Sequence, residues 1–204
     1  MAGRDLFNRY EKIICFAVKL AKCFPKKIRQ KKLETARYRN GKLGIVVRYI
    51  WLASLAKKCG KNVAVFPMCL IKSPENLVIG DNVSIQSMCV LACAGGIDIG
   101  NNVSIAYGTT VLSTTHTFDS VEVPIKYQPI ELKHTRICDD VWIGCNATII
   151  GGSVVNEGCV VGANSTVTKD IPAYSVAAGS PARIIKVRGK ILRGGYKSIV
   201  NFIA

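Results

Sequence analysis

An aliphatic side chain returns at every sixth position through most of this chain. The series runs Ile79, Ile85, Leu91, then Ile99, Ile105, Val111, then Ile137, Ile143, Ile149, Val155, Val161 and Val167. All twelve positions are aliphatic, although Ile, Leu and Val together supply only 56 of the 204 residues. The residue four places on is usually small (Cys89, Thr109, Ala147, Ser153, Cys159, Ser165), and Gly80, Gly100, Gly144 and Gly162 follow the aliphatic at once. A period of six belongs neither to a helix nor to a long alternating strand. It fits short strands joined by tight turns, each strand sending one aliphatic side chain into a narrow interior. Three such faces close a prism of about eighteen residues per coil, and the coils must stack because none buries its core alone. A β-sandwich has no reason to hold one six-residue register for so long. The register slips by two at Ile97-Asp98 and breaks between His116 and Ile137.

Ahead of the coils the pattern is helical. Leu6, Tyr10, Ile13, Ile14, Ala17 and Val18 recur at helical spacing within residues 3–38, with basic residues between them. Pro25 interrupts that run, and Asn40-Gly41 signals a turn. A further apolar helix is predicted from about Leu43 to Lys58, stopping at Gly60. The chain therefore divides into a basic amphipathic helical extension over 1–60, a coil domain over 61–183, and a cap or short helix over 184–204. A loop over 117–136, with Pro124, Pro129, Tyr127 and His134, leaves the coils; a long loop on a rigid scaffold is more often functional than decorative.

Charge sharpens this division. The formal net charge is +15, and residues 1–61 hold 17 of the 28 Lys and Arg against Asp5, Glu11 and Glu34. The extension is thus the basic part, and it suits an anionic surface such as lipid headgroups, as well as a solvated helical face or a partner subunit. The runs Ile13 to Phe24 and Ile45 to Ala56 are too short and too charged to span a bilayer, and neither reads as a secretory signal. A membrane contact through residues 1–60 would be peripheral, at the inner face, in an otherwise cytoplasmic protein. The nine cysteines form no C-x-x-C pair and no zinc-ligand spacing with His, so they read as reduced and structural. No metal site is expected. Stacking aromatics are few in the basic segment, which argues against nucleic acid.

The ordered series of motifs resembles the hexapeptide-repeat acyltransferases, in the branch with galactoside, maltose and polysaccharide O-acetyltransferases. The resemblance covers roughly residues 57–188. It rests on Lys58-Cys59-Gly60-Lys61-Asn62-Val63, Ser113-Thr114-Thr115-His116 and its loop, and Asp140-Val141-Trp142-Ile143-Gly144. It continues through Val161-Gly162-Ala163-Asn164-Ser165, Val167-Thr168-Lys169-Asp170-Ile171-Pro172 and Ala178-Gly179-Ser180-Pro181-Ala182-Arg183. The resemblance implies an all-β, left-handed parallel β-helix of hexapeptide repeats. Its hand departs from the usual right-handed crossover. It also implies a homotrimer with inter-subunit active sites, which agrees with a physical need: a flat prism face requires a second wall to become a site.

By the same resemblance His116 is the general base. An imidazole near its working pKa takes the proton of an acceptor hydroxyl as that oxygen attacks the acetyl-CoA thioester. From the residues alone His116 is equally a satisfied turn residue. Its orienting acceptor is Asp119 or a backbone carbonyl. The positions implied for acetyl-CoA, the co-substrate, are Trp142, Cys145, Ala163, Thr168, Lys169 and Arg183: an apolar wall, two small residues beside a pantetheine arm, and donors for phosphates. Trp142 is also readable as plain packing. Gln86 and Asp119 are weaker acceptor-binding candidates, Gln86 standing where the family carries Asn. His134 matches no motif.

The expected function is an acetyl-CoA-dependent O-acetyltransferase acting on a sugar hydroxyl, of a cell-surface polysaccharide or its lipid-linked precursor. The alternative on the same fold is an antibiotic acetyltransferase of the chloramphenicol or streptogramin type, followed by serine and amino-sugar N-acetyltransferases. A gamma-class carbonic anhydrase needs three His ligands, and this chain has two His in all. From another class, a non-catalytic β-helix scaffold predicts no acetyl-CoA binding.

Overall fold

The computed structural model describes residues 2–189. Short parallel strands stack in three sheets that form the faces of a triangular prism. The first face holds Lys58–Cys59, Leu77–Ile79, Ile97–Ile99, Thr135–Ile137 and Val154–Val155. The second holds Ala64–Val65, Ser84–Ile85, Ser104–Ile105, Trp142–Ile143, Val160–Val161 and Ser175–Ala178. The third holds Leu70–Lys72, Val90–Ala92, Thr110–Leu112, Thr148–Ile149 and Thr166–Val167. This is the parallel β-helix of the expectation.

All twelve period-six aliphatics are inside, none more than 2% exposed. They form columns up the axis: Ile79, Ile99, Ile137 and Val155 on the first face, Ile85, Ile105, Ile143 and Val161 on the second, Leu91, Val111, Ile149 and Val167 on the third. Cys89, Thr109, Ala147 and Ser165 line the corner between second and third faces and are buried. The corner between first and second faces turns through left-handed residues Asn62, Asn82, Asn102 and Asp140, the residue types that tolerate positive φ best after glycine. Their side chains continue the ladder outside the sheets. Asn62 donates to Asn82 (3.0 Å), and Asn82 to Asn102 (3.2 Å).

One expectation needs correction. The coils are not uniformly of eighteen residues. Ile79 pairs with Ile99, and Ile85 with Ile105, twenty positions on; Ile137 pairs with Val155, and Ile143 with Val161, eighteen on. The wider coils carry two extra residues where the third face turns into the first, around the short 3-10 turn Pro74–Asn76 and at Cys93–Gly96. The widened corner has its own inward column, Leu77, Ile97 and Thr135, all at 0% exposure.

Three helices precede the coils: α1 (Ala2–Lys22), α2 (Lys26–Ala36) and α3 (Gly41–Leu55). Phe7, Ile14 and Ala21 lie along one side of α1 and are buried, with Phe7 edge-on to Tyr49 of α3 at 5.3 Å. The apolar run that includes Arg48 is α3, which lies over the first coil with Leu52 and Leu55 in the common core. Arg48 is 1% exposed and joins three elements: Nε donates to Val65 O (2.6 Å) and Nη1 to Ala36 O (3.0 Å). Burial lowers its pKa, as desolvation of a cation must. Tyr49 OH donates to Gly60 O (3.0 Å), and the Met68 amide to Arg37 O (2.8 Å).

At the other end, Ser175–Ala178 completes the second face. The chain then crosses the third face, where Thr166 N donates to Gly179 O (3.0 Å) and Ala182 N to Thr166 O (2.8 Å). It returns as strand Arg183–Val187, antiparallel to Ser175–Ala178. The segment from 184, expected as a cap or short helix, thus begins as an edge strand; residues 190–204 lie outside the described residues. Among the described residues no helix is long and apolar enough to cross a membrane.

Candidate active site

After Val111 the third face runs into a corner that does not close. Ser113 stays inside, its hydroxyl donating to Ala92 O (2.6 Å) and accepting from Gly95 N (2.9 Å). The chain then leaves the prism as strand Thr114–His116 and comes back as Ile130–Leu132, paired antiparallel. His116 faces Ile130, and Thr114 faces Leu132. Directly opposed residues share a side of a ribbon, so Thr114, His116, Ile130 and Leu132 point one way and Thr115 and Glu131 the other. The loop over 117–136, which leaves the six-residue repeat, is part of a two-stranded ribbon with a tightly bonded tip. Gln128 is buried at that tip and holds it, donating to Ser120 O (2.9 Å) and Val123 O (2.8 Å).

His116 is solvent-exposed on this ribbon. Asp119, weighed as its orienting partner, is also exposed and forms no ion pair with it among the described residues. The pair that does form is His134 Nε2 with Asp98 Oδ2, at 2.9 Å, at the foot of the ribbon. Sequence reasoning missed this pair: Asp98 sits in a repeat, His134 in a loop, and 36 residues separate them. Thr135 locks the same foot from within, its hydroxyl donating to Leu112 O (2.6 Å) and accepting from Gly152 N (3.1 Å). Lys57, Asn76, Gly95, Gly96, Asp98, Leu132 and His134 line a hollow there of about 260 Å³.

The positions implied for acetyl-CoA fall on two different edges of the prism. Trp142 points outward from the second face, 41% exposed. Cys145 and Ala163 stack one above the other where the second face turns into the third, each just before a left-handed Asn, and the Asn164 amide donates to Cys145 O (2.8 Å). Gln86 lies at this same corner, two coils away. Thr168 and Lys169 are exposed at the next corner, where the third face turns toward the first. Lys169 lies one coil beyond Gly151, and an added Cβ at Gly151 would come within 2.9 Å of the Thr114 amide. Lys169 therefore stands in the column from which the His116 ribbon springs. Arg183 is exposed at the outermost strand. Within one chain, Ala163 and Lys169 are a whole hexapeptide apart along the third face. The structure gathers Cys145, Ala163 and Gln86 at one corner and His116, Thr168 and Lys169 at the other; it does not gather the two groups.

The cysteines offer no nucleophile beside His116. Cys69, Cys89, Cys93 and Cys159 are buried, and all nine thiols are free. Desolvation pushes Cys93 up to about 12, and Cys59 likewise to about 12, far from a thiolate. Among the described residues no three or more His, Cys, Asp or Glu gather as a metal-binding group.

Residues 134–169 match the family model for the bacterial transferase hexapeptide (six repeats). The chain is 42% identical over 67 residues to an Escherichia coli K12 protein named for lipopolysaccharide biosynthesis as an O-acetyl transferase, covering 33% of this chain and 34% of that one. The chain spans about a quarter to a third of the length of the curated relatives it matches, whose names include antibiotic acetyltransferases as well. Solved structures match over more of the fold. A hexapeptide-repeat-containing acetyltransferase of Vibrio cholerae O1 biovar eltor, complexed with acetyl-CoA, superposes with a TM-score of 0.71 at 27% identity, over 79% of this chain and 86% of that one. A maltose O-acetyltransferase of Clostridium difficile 630 superposes with a TM-score of 0.72 at 26% identity, over 79% and 85%. Repeat, prism and matching structures agree: the chain carries the bacterial transferase hexapeptide repeat and shares its fold with hexapeptide-repeat acetyltransferases.

Proposed function

We propose that this chain is an acetyl-CoA-dependent O-acetyltransferase with a sugar hydroxyl as acceptor, of a polysaccharide or a lipid-linked precursor, and that His116 is its general base. The observation that supports this best is the placement of His116: an exposed imidazole on a braced ribbon at the corner of a rigid prism. The imidazole takes the proton of the acceptor hydroxyl as its oxygen attacks the thioester carbonyl. The carbon–sulfur bond then breaks, and the imidazolium returns the proton to the departing thiolate of CoA. No acyl-enzyme is needed for this direct transfer.

The site is completed by a second copy of the chain. Reacting atoms must meet at about 3–3.5 Å. The small corner of Cys145 and Ala163 suits the pantetheine arm, with Trp142 as an apolar flank, while Arg183 and, from the His116 corner, Lys169 donate hydrogen bonds to the CoA phosphates. In one chain that corner stands a full face away from His116. In a closed trimer the corner of one subunit meets the ribbon of the next, giving three equivalent clefts. The acyl donor and the sugar acceptor are those named for the similar structures and relatives above.

The deciding test is acetyl transfer to a panel of oligosaccharides, nucleotide sugars, chloramphenicol and a streptogramin, wild type beside His116→Ala. Transfer to a sugar, lost in the variant, is the expected result. Transfer to a drug alone would replace the acceptor class, and undiminished transfer by the variant would overturn the base. A protein that binds no acetyl-CoA by calorimetry would be the scaffold of the other reading.

A further inference from the structure

We propose that the outer side of α1 is a docking surface for an anionic lipid bilayer, with Ile13, Phe16, Leu20 and Phe24 entering the headgroup layer. This goes beyond the acetyl-transfer reading and does not depend on it. The α1 helix carries two apolar faces. One, through Phe7, Ile14 and Ala21, is spent on α3. The other runs through Ile13, Phe16 and Leu20 and continues to Phe24 just past the helix, and these side chains are 67%, 68%, 56% and 45% exposed. At about 100° per residue the second face lies between the side turned to α3 and the side that carries Lys12 and Lys19. A stripe of large apolar side chains on a surface helix calls for something to cover it.

Charge selects the cover. Lys12 and Lys19 of α1 are exposed beside the stripe, Lys22 is exposed in the last turn of the same helix, and α2 adds exposed Lys27, Lys31 and Lys32 against the single acid Glu34. Residues 1–61 carry nearly all the excess positive charge of the chain. A flat anionic surface meets both demands at once, taking the apolar side chains while its headgroups neutralise the lysines. The helix would lie in the plane of the interface, since no described helix can cross it.

The experiment is co-sedimentation of the full-length protein with vesicles of equimolar phosphatidylcholine and phosphatidylglycerol, beside vesicles of phosphatidylcholine alone. Wild type should sediment with the anionic vesicles and lose most of that binding in high salt. The double variant Phe16→Ser/Leu20→Ser should bind on the order of tenfold more weakly, and Lys12→Glu/Lys19→Glu should bind weakly at all salt concentrations. All these changes are at exposed positions, and an unaltered circular dichroism melt confirms the fold. Wild type left in the supernatant, or a serine variant that sediments like wild type, overturns the proposal. A serine variant with a smaller assembly mass by light scattering, and a wild type indifferent to lipid, would instead assign the stripe to a contact between copies.

Discussion

His134 Nε2 lies 2.9 Å from Asp98 Oδ2, and this pair fastens the returning strand of the His116 ribbon to the coil beside it. An added Cβ at Gly96 would stand 2.6 Å from His134 Nδ1, so the ring rests directly on glycine backbone. Both partners are partly exposed, and such pairs stabilise by no more than about 1 kcal/mol. His134→Ala should therefore leave the melting temperature within a few degrees while loosening the ribbon. Limited proteolysis within 117–129 should speed up, and kcat should fall more than the affinity for acetyl-CoA. A variant that unfolds outright would show that the pair carries the coil and not the ribbon.

His116→Ala should keep the fold, because the side chain is exposed and outside the prism. Loss of a general base lowers kcat by on the order of a hundredfold or more. Single-turnover rates with acetyl-CoA bound separate this from a binding defect; an unchanged rate rejects the role.

The two-corner arrangement predicts complementation. His116→Ala and Ala163→Tyr should each be inactive alone. Mixed during refolding in equal amounts, they should regain about a quarter of wild-type activity, since a site intact in both halves then forms by chance one time in four. Mixtures that stay inactive would place both halves on one chain.

Neighbouring residues on the second face should behave oppositely. Ile143 is fully buried, and Ile143→Ala should cost about 2–5 kcal/mol in denaturant unfolding. Trp142 points out, and Trp142→Ala should cost about 0.5 kcal/mol or less in stability yet weaken acetyl-CoA binding measured by calorimetry. A large loss of stability at Trp142 would return it to plain packing.

Acid should weaken the corner ladder at a definite place. The Asp139 carboxylate accepts the Asn101 amide at 2.7 Å and the Asn101 side chain at 3.1 Å, which holds its pKa below the ordinary carboxylate value. A group depressed in the folded state stabilises the fold above its unfolded value of about 4, and that stabilisation is lost as the pH falls through the folded value. Wild type should thus melt higher than Asp139→Asn at pH about 6, with the gap closing on acidification. A gap independent of pH would mean that shape and not charge matters there.

The interior was legible because burial forces one side-chain class onto one position. The spacing from Ile79 to Val167 declares the columns by itself. Less legible was whatever escapes that rule. The two-residue widening shows only at Ile97-Asp98, since Pro74–Asn76 enters at a corner where the six-residue register is already interrupted and a single buried proline leaves no periodic signal. The ribbon was hidden for a similar reason: Thr114, Thr115 and His116 pair with Leu132, Glu131 and Ile130 outside the core, with no buried face to impose alternation. The His134–Asp98 pair is a tertiary contact with no local signature. Of the proposed site, His116 and the small residues Cys145 and Ala163 were found through motifs, while their separation onto two corners required the fold.

A pile of parallel coils has no natural end. Its last rung presents free amides and carbonyls that would accept another chain, and another after it. Here the first rung is answered by side chains and by helix: Arg48 on Val65 O, Tyr49 on Gly60 O, and Arg37 O on the Met68 amide. The last rung is answered by a strand of reversed direction, Arg183–Val187, which breaks the parallel template. The buried arginine therefore does more than anchor a helix. It also occupies a carbonyl of the first rung, so its replacement by an apolar residue should be read out as fibres under the electron microscope as well as in a melting curve.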